Sequence, residues 1–374
     1  MNMPGISIVV PTWNRSALVD SLLSSLEAER SGYQGDTEVI VVDNSDGEQG
    51  ANIESSCAAH DARYIRGSES VRSKRNLGVS HARFEIVLFL DSDVVAEPGL
   101  LHAHAEAYER GDHVGAVQGL TVFTGKGGFW WKVAELSGLM ESFDNARKYP
   151  FQSWSIANNL SVRKDVFNRI GGFEEQFPFR LGGDDLEMSY RIAKSGALIA
   201  SASDAVSLHS KETWDNVQAL LDRSKRWGRM ETEVCALHPE LLKRVMPKNY
   251  VFECIALFGF GLCSLVANSA WPFACWAIWI TLLALYTWWN SISGFRRITR
   301  VPEYIVAKLI KARYELFRLA GHRARGERSA MLKGMVFNVF QVKYGLAGES
   351  RRLLMLLVLL LFSILITGMV AYLA

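Results

Sequence analysis

Apolar and polar positions alternate in blocks through the first 125 residues. "ISIVV" (6–10) is a short β-branched run of strand type. Leu18, Leu22 and Leu26 follow at helical spacing, behind Ser16 as a potential cap. "EVIVVD" (38–43) predicts a second strand, "ARYIRG" a weaker third, "EIVLFLD" (85–91) a fourth and "GAVQGLTVF" another. "VRSKRNLGVSHA" reads as a helix entered from a loop, and "PGLLHAHAEAYER" as a helix with Pro98 in its first turn. This β-α-β-α order predicts an α/β, Rossmann-like, mostly parallel sheet with helices on both faces. In such sheets ligands gather at the carboxyl ends of the strands. The polar clusters 12–15, 43–46 and 91–93 all fall at those ends.

The pattern changes after residue 150. "GGFEEQFPFRLGGDD" is Gly-rich and irregular, and "DDLEMSYRIAKSG" is a helix with acids in its first turn and Gly196 beyond its end. "ALIASA" predicts a last strand, and "TWDNVQALLDRSKRWGRM" a last helix. From Cys254 to Phe295 no charged residue occurs, and "NSAWP" divides that stretch into two apolar runs. A third run ends the chain. About 20 apolar residues cross a bilayer, so the expected organisation is a domain over 1–240, two transmembrane helices over 250–291 and a third over 352–373. The first run is barely long enough, which leaves a re-entrant or interfacial helix open.

Charge orients this arrangement. The chain as a whole carries a net charge of only +2, with no nucleic-acid footprint. Residues 296–352, however, hold 14 Lys and Arg against 4 Asp and Glu. The positive-inside rule therefore places the first 250 residues on the cytosolic side of a membrane, such as a bacterial inner membrane. The basic segment 292–351 is expected to lie as amphipathic helices on the anionic leaflet. The five cysteines are scattered, with no metal-ligand spacing and no disulfide framework.

Asp91 and Asp93 end an apolar strand, where burying paired acids is costly unless they face a cleft or a cation. In extended chain, residues two apart project to one side. Two carboxylates there suit a divalent cation with substrate phosphates, although Asp and Ser are also common in solvated turns. Acids at a helix start, such as Asp184 and Asp185, either complement the helix dipole or serve as a general base.

Six blocks, "ISIVVPTWNRSALVDSLLSSL", "EVIVVDNSD", "RSKRNLGVSHAR", "IVLFLDSD", "NNLSVRKDVFNRIGGFEEQF" and "GGDDLEMSYRIAKSG", together resemble a family 2 inverting glycosyltransferase with the GT-A fold, over about residues 5–235. The resemblance implies a nucleotide-sugar donor, UDP-linked by expectation, held by Pro11, Thr12, Trp13, Asp43, Arg75, Asp91, Ser92 and Asp93. Asp43 would accept from the uracil N–H and Trp13 would stack on the ring. Arg75 would approach the ribose or diphosphate, and Asp91 the ribose. Asp93 would ligate Mn²⁺ or Mg²⁺, with His209 joining the metal in some relatives. Asp185 matches the position of the catalytic base, with Asp184 second, and Asp184-Asp185 replaces the usual Glu-Asp. "RSKRWGR" is similar to the Arg-Trp part of the Gln-x-x-Arg-Trp motif of processive synthases, but Arg223 stands at the Gln place. Arg226 would then pair with the leaving diphosphate and Trp227 stack on an acceptor sugar; both could instead anchor the domain at a membrane surface.

Each residue also has a plainer reading. Asp43 could cap a turn, Trp13 could pack, Arg75 could be a solvated helix charge and His209 could be structural. The implied function is transfer of one sugar to a lipid or lipid-linked acceptor. The rivals are a processive polysaccharide synthase, an inactive GT-A scaffold, a channel or transporter partner with a cytosolic sensor, and a nucleotidyltransferase. An inactive scaffold is expected to lose Asp93 or Asp185, and both are present. A nucleotidyltransferase is expected to show a Gly-rich loop where this chain has "PTWNR".

Overall fold

The computed structural model describes residues 3–176, 182–244, the single residue 274, 301–327 and 333–335. The expected transmembrane runs lie outside these residues, residue 274 apart. Among the described residues no helix is long and apolar enough to cross a membrane.

The chain opens as strand β1 (Ile6–Thr12), helix α1 (Ser16–Gly32), β2 (Thr37–Asp43), α2 (Gly47–Ala59), β3 (Arg63–Arg66), α3 (Val71–His81) and β4 (Ile86–Leu90). Strands β1, β2, β3 and β4 run parallel, in the order β3-β2-β1-β4. Their carboxyl ends therefore share one edge, as the alternation predicts. β1 is wholly buried, with Ile6, Ile8 and Val10 in the apolar cluster on one face and Val9 in the cluster on the other. Pro11 lies beyond the last β1–β4 pair, Val9 with Phe89, so its missing N–H leaves no gap in that ladder.

Next come β5 (Val94–Ala96), α4 (Leu100–Tyr108), β6 (Val114–Thr124), α5 (Phe129–Ser137), α6 (Asn145–Lys148), β7 (Phe151–Gln152), β8 (Asn159–Arg163), α7 (Lys164–Arg169), α8 (Asp184–Lys194), β9 (Leu198–Ser210) and α9 (Val217–Leu237). The sheet continues β4-β8-β6-β9-β5, with β8 antiparallel to both β4 and β6, and β5 and β7 antiparallel to β9. The second half is therefore mixed, not mostly parallel. Short-range alternation reports that a segment is a strand but not the direction of its partner.

Three local expectations need correction. Ser16 is the first helical residue of α1 and Arg15 holds the cap position, with no side-chain capping bond. The buried face of α1 is Val19, Leu22, Leu23 and Leu26, which leaves Leu18 exposed. Pro98 precedes α4, whose cap is Gly99 in the left-handed region at φ 91°.

A buried polar network ties β8 to β6, β9 and α4. The Asn159 amide donates to the carbonyls of Leu120 and Ala205, at 3.2 and 2.8 Å. Its oxygen therefore accepts from His104 Nε2 at 2.8 Å, and His104 Nδ1 faces Ser161 Oγ at 3.0 Å. Burial holds the His104 pKa down at about 4, so the ring is neutral. A Cβ at Gly119 would come 2.3 Å from the Asn159 amide nitrogen, which leaves glycine as the fitting residue. Asn159→Leu strands these partners, and is expected to cost about 3 kcal/mol or more of stability, measured by denaturant titration.

Helix α10 (Val301–Ala324) follows in the described chain. Its residues 306–321 belong with residues 1–239 as one compact unit. Ala307 and Ile310 are buried there, and Arg318 pairs with Glu315 and Glu231. A Cβ at Gly228 would sit 2.3 Å from the Tyr314 carbonyl, so this glycine admits α10 against α9. The second unit contributes a two-stranded antiparallel pair, β10 (Leu242–Arg244) with β11 (Lys333–Met335). The free cysteines among the described residues are Cys57 and Cys235, both buried.

Candidate active site

The polar residues that follow β1, β2 and β4 lie along the shared carboxyl edge, where α3 sends Lys74 to the end of β1 and Arg75 to the residue after β4. Gly78 lets α3 lie on β1, since a Cβ there would come 2.3 Å from Val9. On the same buried face, three and four positions before Gly78, stand Arg75 and Lys74. Arg75 is buried and forks between two carboxylates: Nη2 donates to Asp91 at 2.9 Å and Nη1 to Asp184 at 2.8 Å. Its guanidinium lies over the Phe173 ring, 5.2 Å from the centroid. Burial opposes its charge, but Asp91, Asp184 and Asp185 together outweigh burial and hold its pKa above the ordinary value. One cation thus ties residues that are 16 and 109 positions away in sequence.

The Asp-x-Asp is a turn, not extended chain. The Asp91 carbonyl accepts from the Val94 N–H at 3.4 Å. The two carboxylates therefore part, which corrects the expectation that they share one side. Asp91 faces Arg75, while Asp93 faces Arg15, at 2.6 Å, and His209, at 3.6 Å. Ser92 is buried between them. Burial and the neighbouring Asp93 raise the Asp91 pKa. For Asp93 burial pushes the same way, yet His209 and Arg15 overcome it and lower the pKa.

His209 is aimed rather than merely packed. It stands opposite Val94 in the β5–β9 ladder, beside Asp93. Its Nδ1 meets the Ser210 carbonyl at 2.8 Å, and a carbonyl only accepts, so Nδ1 carries the proton. Nε2 is left facing Asp93. A backbone carbonyl behind an imidazole is the arrangement that orients metal-ligating histidines. Among the described residues no group of three His, Cys, Asp or Glu forms a closed cation site. Asp93 with His209 fits an open site for Mn²⁺ or Mg²⁺, in which substrate phosphates complete the shell.

The nucleobase side is arranged differently from expectation. Asp43 has no exposed surface. Its Oδ1 accepts from Ser45 Oγ at 2.6 Å and its Oδ2 from the Tyr64 hydroxyl at 3.1 Å. Ser45 Oγ in turn accepts from the Asn14 N–H at 2.7 Å, with Asn14 at φ 51°. Lys74 Nζ donates to the Thr12 carbonyl at 2.5 Å, and burial lowers its pKa to about 8. Asp43 thus braces the ends of β1, β2 and β3 through Ser45 and Tyr64. Thr12 is buried with its hydroxyl unpartnered, whereas Trp13 is 60% exposed at the lip.

The acidic helix start completes the site. Gly182 and Gly183, at φ 104° and 92°, turn the chain into α8. Asp184 is held by Arg75. Asp185 is not; its Oδ1 accepts from the Leu186 N–H at 2.8 Å. Burial, and then the charge of Asp184, push its pKa up to about 7. Two α8 residues, Glu187 and Arg191, pair with each other, and Glu187 also binds His238 at 2.9 Å.

Trp227 lies against this corner, since a Cβ at Gly182 would be 3.3 Å from the indole. Arg226 is half-buried on α9, and burial lowers its pKa. Arg223 stacks on Trp214 at 3.8 Å and lies within electrostatic reach of Arg226, Asp93 and Arg15. Arg15 and Ser45 fall inside the polar clusters expected at the strand ends, without a role having been expected of either, and Tyr64 was not expected in the site. The signal for Arg15 and Ser45 in the sequence is position after a strand end, whereas Tyr64, inside β3, reaches Asp43 only through the β2–β3 pairing.

The Glycosyl transferase family 2 profile matches residues 7–171. The chondroitin synthase of Pasteurella multocida (strain Pm70) is 26% identical over 55% of this chain and 25% of its own length. The validoxylamine A glucosyltransferase of Streptomyces hygroscopicus subsp. jinggangensis is 26% identical over 64% of this chain and 63% of its own. The chain thus spans under two thirds of either relative. A mannosyltransferase from Pyrobaculum calidifontis, solved with GDP-Man and Mn²⁺, aligns over 83% of this chain and 87% of that one, at 18% identity and a TM-score of 0.49. The profile match takes in the strand-end cluster from Thr12 to Asp93, and those residues stand in an α/β mixed sheet, similar in sequence to Glycosyl transferase family 2 over 7–171.

Proposed function

We propose that this protein is a membrane-associated inverting glycosyltransferase, moving one sugar from a nucleotide-sugar, UDP-linked in our reading, to a lipid or lipid-linked acceptor. The observation that carries the reading is the Arg75 fork, which sets the Asp-x-Asp corner beside the Asp184-Asp185 corner. Donor and acceptor chemistry then share one cleft.

Trp13 offers its exposed face to the nucleobase, and the braced ends of β1 and β2 form the floor beneath it. Asp43 acts through Ser45 and Tyr64 unless one of them moves aside. Asp93 and His209 would hold a divalent cation, which would offset charge on the departing diphosphate. Asp185 takes the proton from the acceptor hydroxyl, and that oxygen forms the new bond at the anomeric carbon as the sugar–phosphate bond breaks. Attack from the face opposite the diphosphate inverts the configuration. Trp227, against Gly182, gives the acceptor an aromatic wall beside Asp185.

Membrane association is supported by the apolar runs and the basic segment. The outer face of α10 also exposes Leu309 and Leu316, one heptad apart. The relatives' names include polymer synthases as well as a glucosyltransferase, so they do not choose between repeated and single transfer. Arg223 in place of the motif's Gln favours single transfer.

The test is UDP release from a panel of UDP-sugars by the full-length protein, with and without Mn²⁺, in lipid-containing detergent. Release that requires Mn²⁺ and an extracted lipid acceptor supports the reading, and no release from any donor removes it. Trp13→Ala is expected to weaken UDP binding by about 5- to 100-fold, the worth of one base–aromatic stack, measured by calorimetry.

A further inference from the structure

Arg15 occupies the oxygen that a cation would need. Its Nη1 lies 2.6 Å from Asp93 Oδ2, the same atom that His209 Nε2 approaches at 3.6 Å. The Asp93 side chain is 12% exposed and has Asp91 as a like-charged neighbour, so leaving it unpaired is costly. A guanidinium and a divalent cation on one carboxylate oxygen would repel strongly in that setting. Both cannot remain.

The two ends of Arg15 are held very differently. Its backbone is fixed at the start of α1, between Asn14, tied to Ser45, and the first turn, where the Arg15 carbonyl accepts from Leu18 and Val19. Its side chain is 45% exposed, and its guanidinium pairs with Asp93. Nearly half of it already faces solvent, so it can swing out at small packing cost. A second cation serves the same corner: Arg223, stacked on Trp214, lies within electrostatic reach of both Arg15 and Asp93. Two guanidinium groups beside one carboxylate suit a diphosphate bound there.

We infer that Arg15 is the resident counter-cation of Asp93, displaced by the incoming divalent cation and transferred onto the diphosphate that accompanies it. The exchange couples the two ligands. Metal alone must break the Arg15–Asp93 pair and gives Arg15 nothing in return. Metal with diphosphate replaces one ion pair by another. Metal and nucleotide therefore each bind more tightly in the presence of the other, by the same factor.

This rests on the reading of Asp93 as a cation ligand, but it needs no sugar and no turnover. Mn²⁺ is titrated calorimetrically into the full-length protein and into Arg15→Gln without nucleotide, and UDP is then titrated into each at saturating Mn²⁺. Arg15→Gln is expected to bind Mn²⁺ about threefold to tenfold more tightly and UDP more weakly by a similar factor. Arg15→Lys, which keeps the charge, stays within about twofold of wild type for Mn²⁺. Asp93→Asn gives no Mn²⁺ heat. Equal or weaker Mn²⁺ binding in Arg15→Gln overturns the inference, as does a Lys variant that tightens as much as Gln, or no Mn²⁺ binding in any of the proteins. Sugar transfer can fail while the titrations succeed, which would remove the transferase reading and leave this one standing.

Discussion

Asp185→Asn is expected to lower sugar transfer by about 10²- to 10⁴-fold while UDP binding changes little. The substitution keeps shape and can still accept the Leu186 N–H, so the fold and the donor corner survive. What is lost is the carboxylate of the Asp184-Asp185 pair that Arg75 does not hold. Asp184 is the weaker candidate for this reason: its oxygen is committed to Arg75 at 2.8 Å. The environment of Asp185 sets a second observable. Burial and Asp184 raise its pKa to about 7, and a general base works in its ionised form. Below pH 7 the rate should fall about tenfold per unit, and above it the rate should level off. The profile is measured as initial rates at subsaturating acceptor from pH 5.5 to 8.5. A flat profile, or an Asn variant within tenfold of wild type, would take the base role away from Asp185.

Arg75→Met is expected to cost about 3–5 kcal/mol of stability, the usual result of removing one partner from a buried charge cluster. Asp91 and Asp184 are left facing each other's charge without the guanidinium between them. The loss is read from the midpoint of a denaturant titration of the variant against wild type. A loss below about 1 kcal/mol would mean the fork is not the joint described here. The variant carries a further signature. Arg75 is among the groups that hold the Asp185 pKa down, so its removal moves the ascending limb of the pH–rate profile to higher pH. A destabilisation that merely thinned the folded population would lower the rate at every pH and leave that limb in place.

Most of the first half is legible from the sequence. Buried parallel strands need continuous β-branched runs, and "ISIVV" and "EVIVVD" are such runs. Parallel strands also place their ends along one edge, so the strand pattern alone groups the polar clusters after β1, β2 and β4. Gly182-Gly183 before two acids likewise marks a turn into a helix. The basic 296–352 stretch is less transparent. Its charge suggests a membrane surface, whereas buried residues of 306–321 pack into the unit formed by residues 1–239. Charge counts report composition, and only packing shows which face of a helix is covered.

The sequence by itself thus determined the element types, the strand-end location of the polar residues and the candidate chemistry, because each is written in neighbours a few positions apart. Tertiary structure alone decided the antiparallel insertion of β8, the burial of Asp43 behind Ser45 and Tyr64, the divergence of Asp91 from Asp93, and the pairing of Arg15 with Asp93 across 78 residues. The first turns on strand pairing across distant segments, and the rest on which distant charge or hydroxyl the fold sets beside a carboxylate. A buried carboxylate must be satisfied by whatever the fold brings to it.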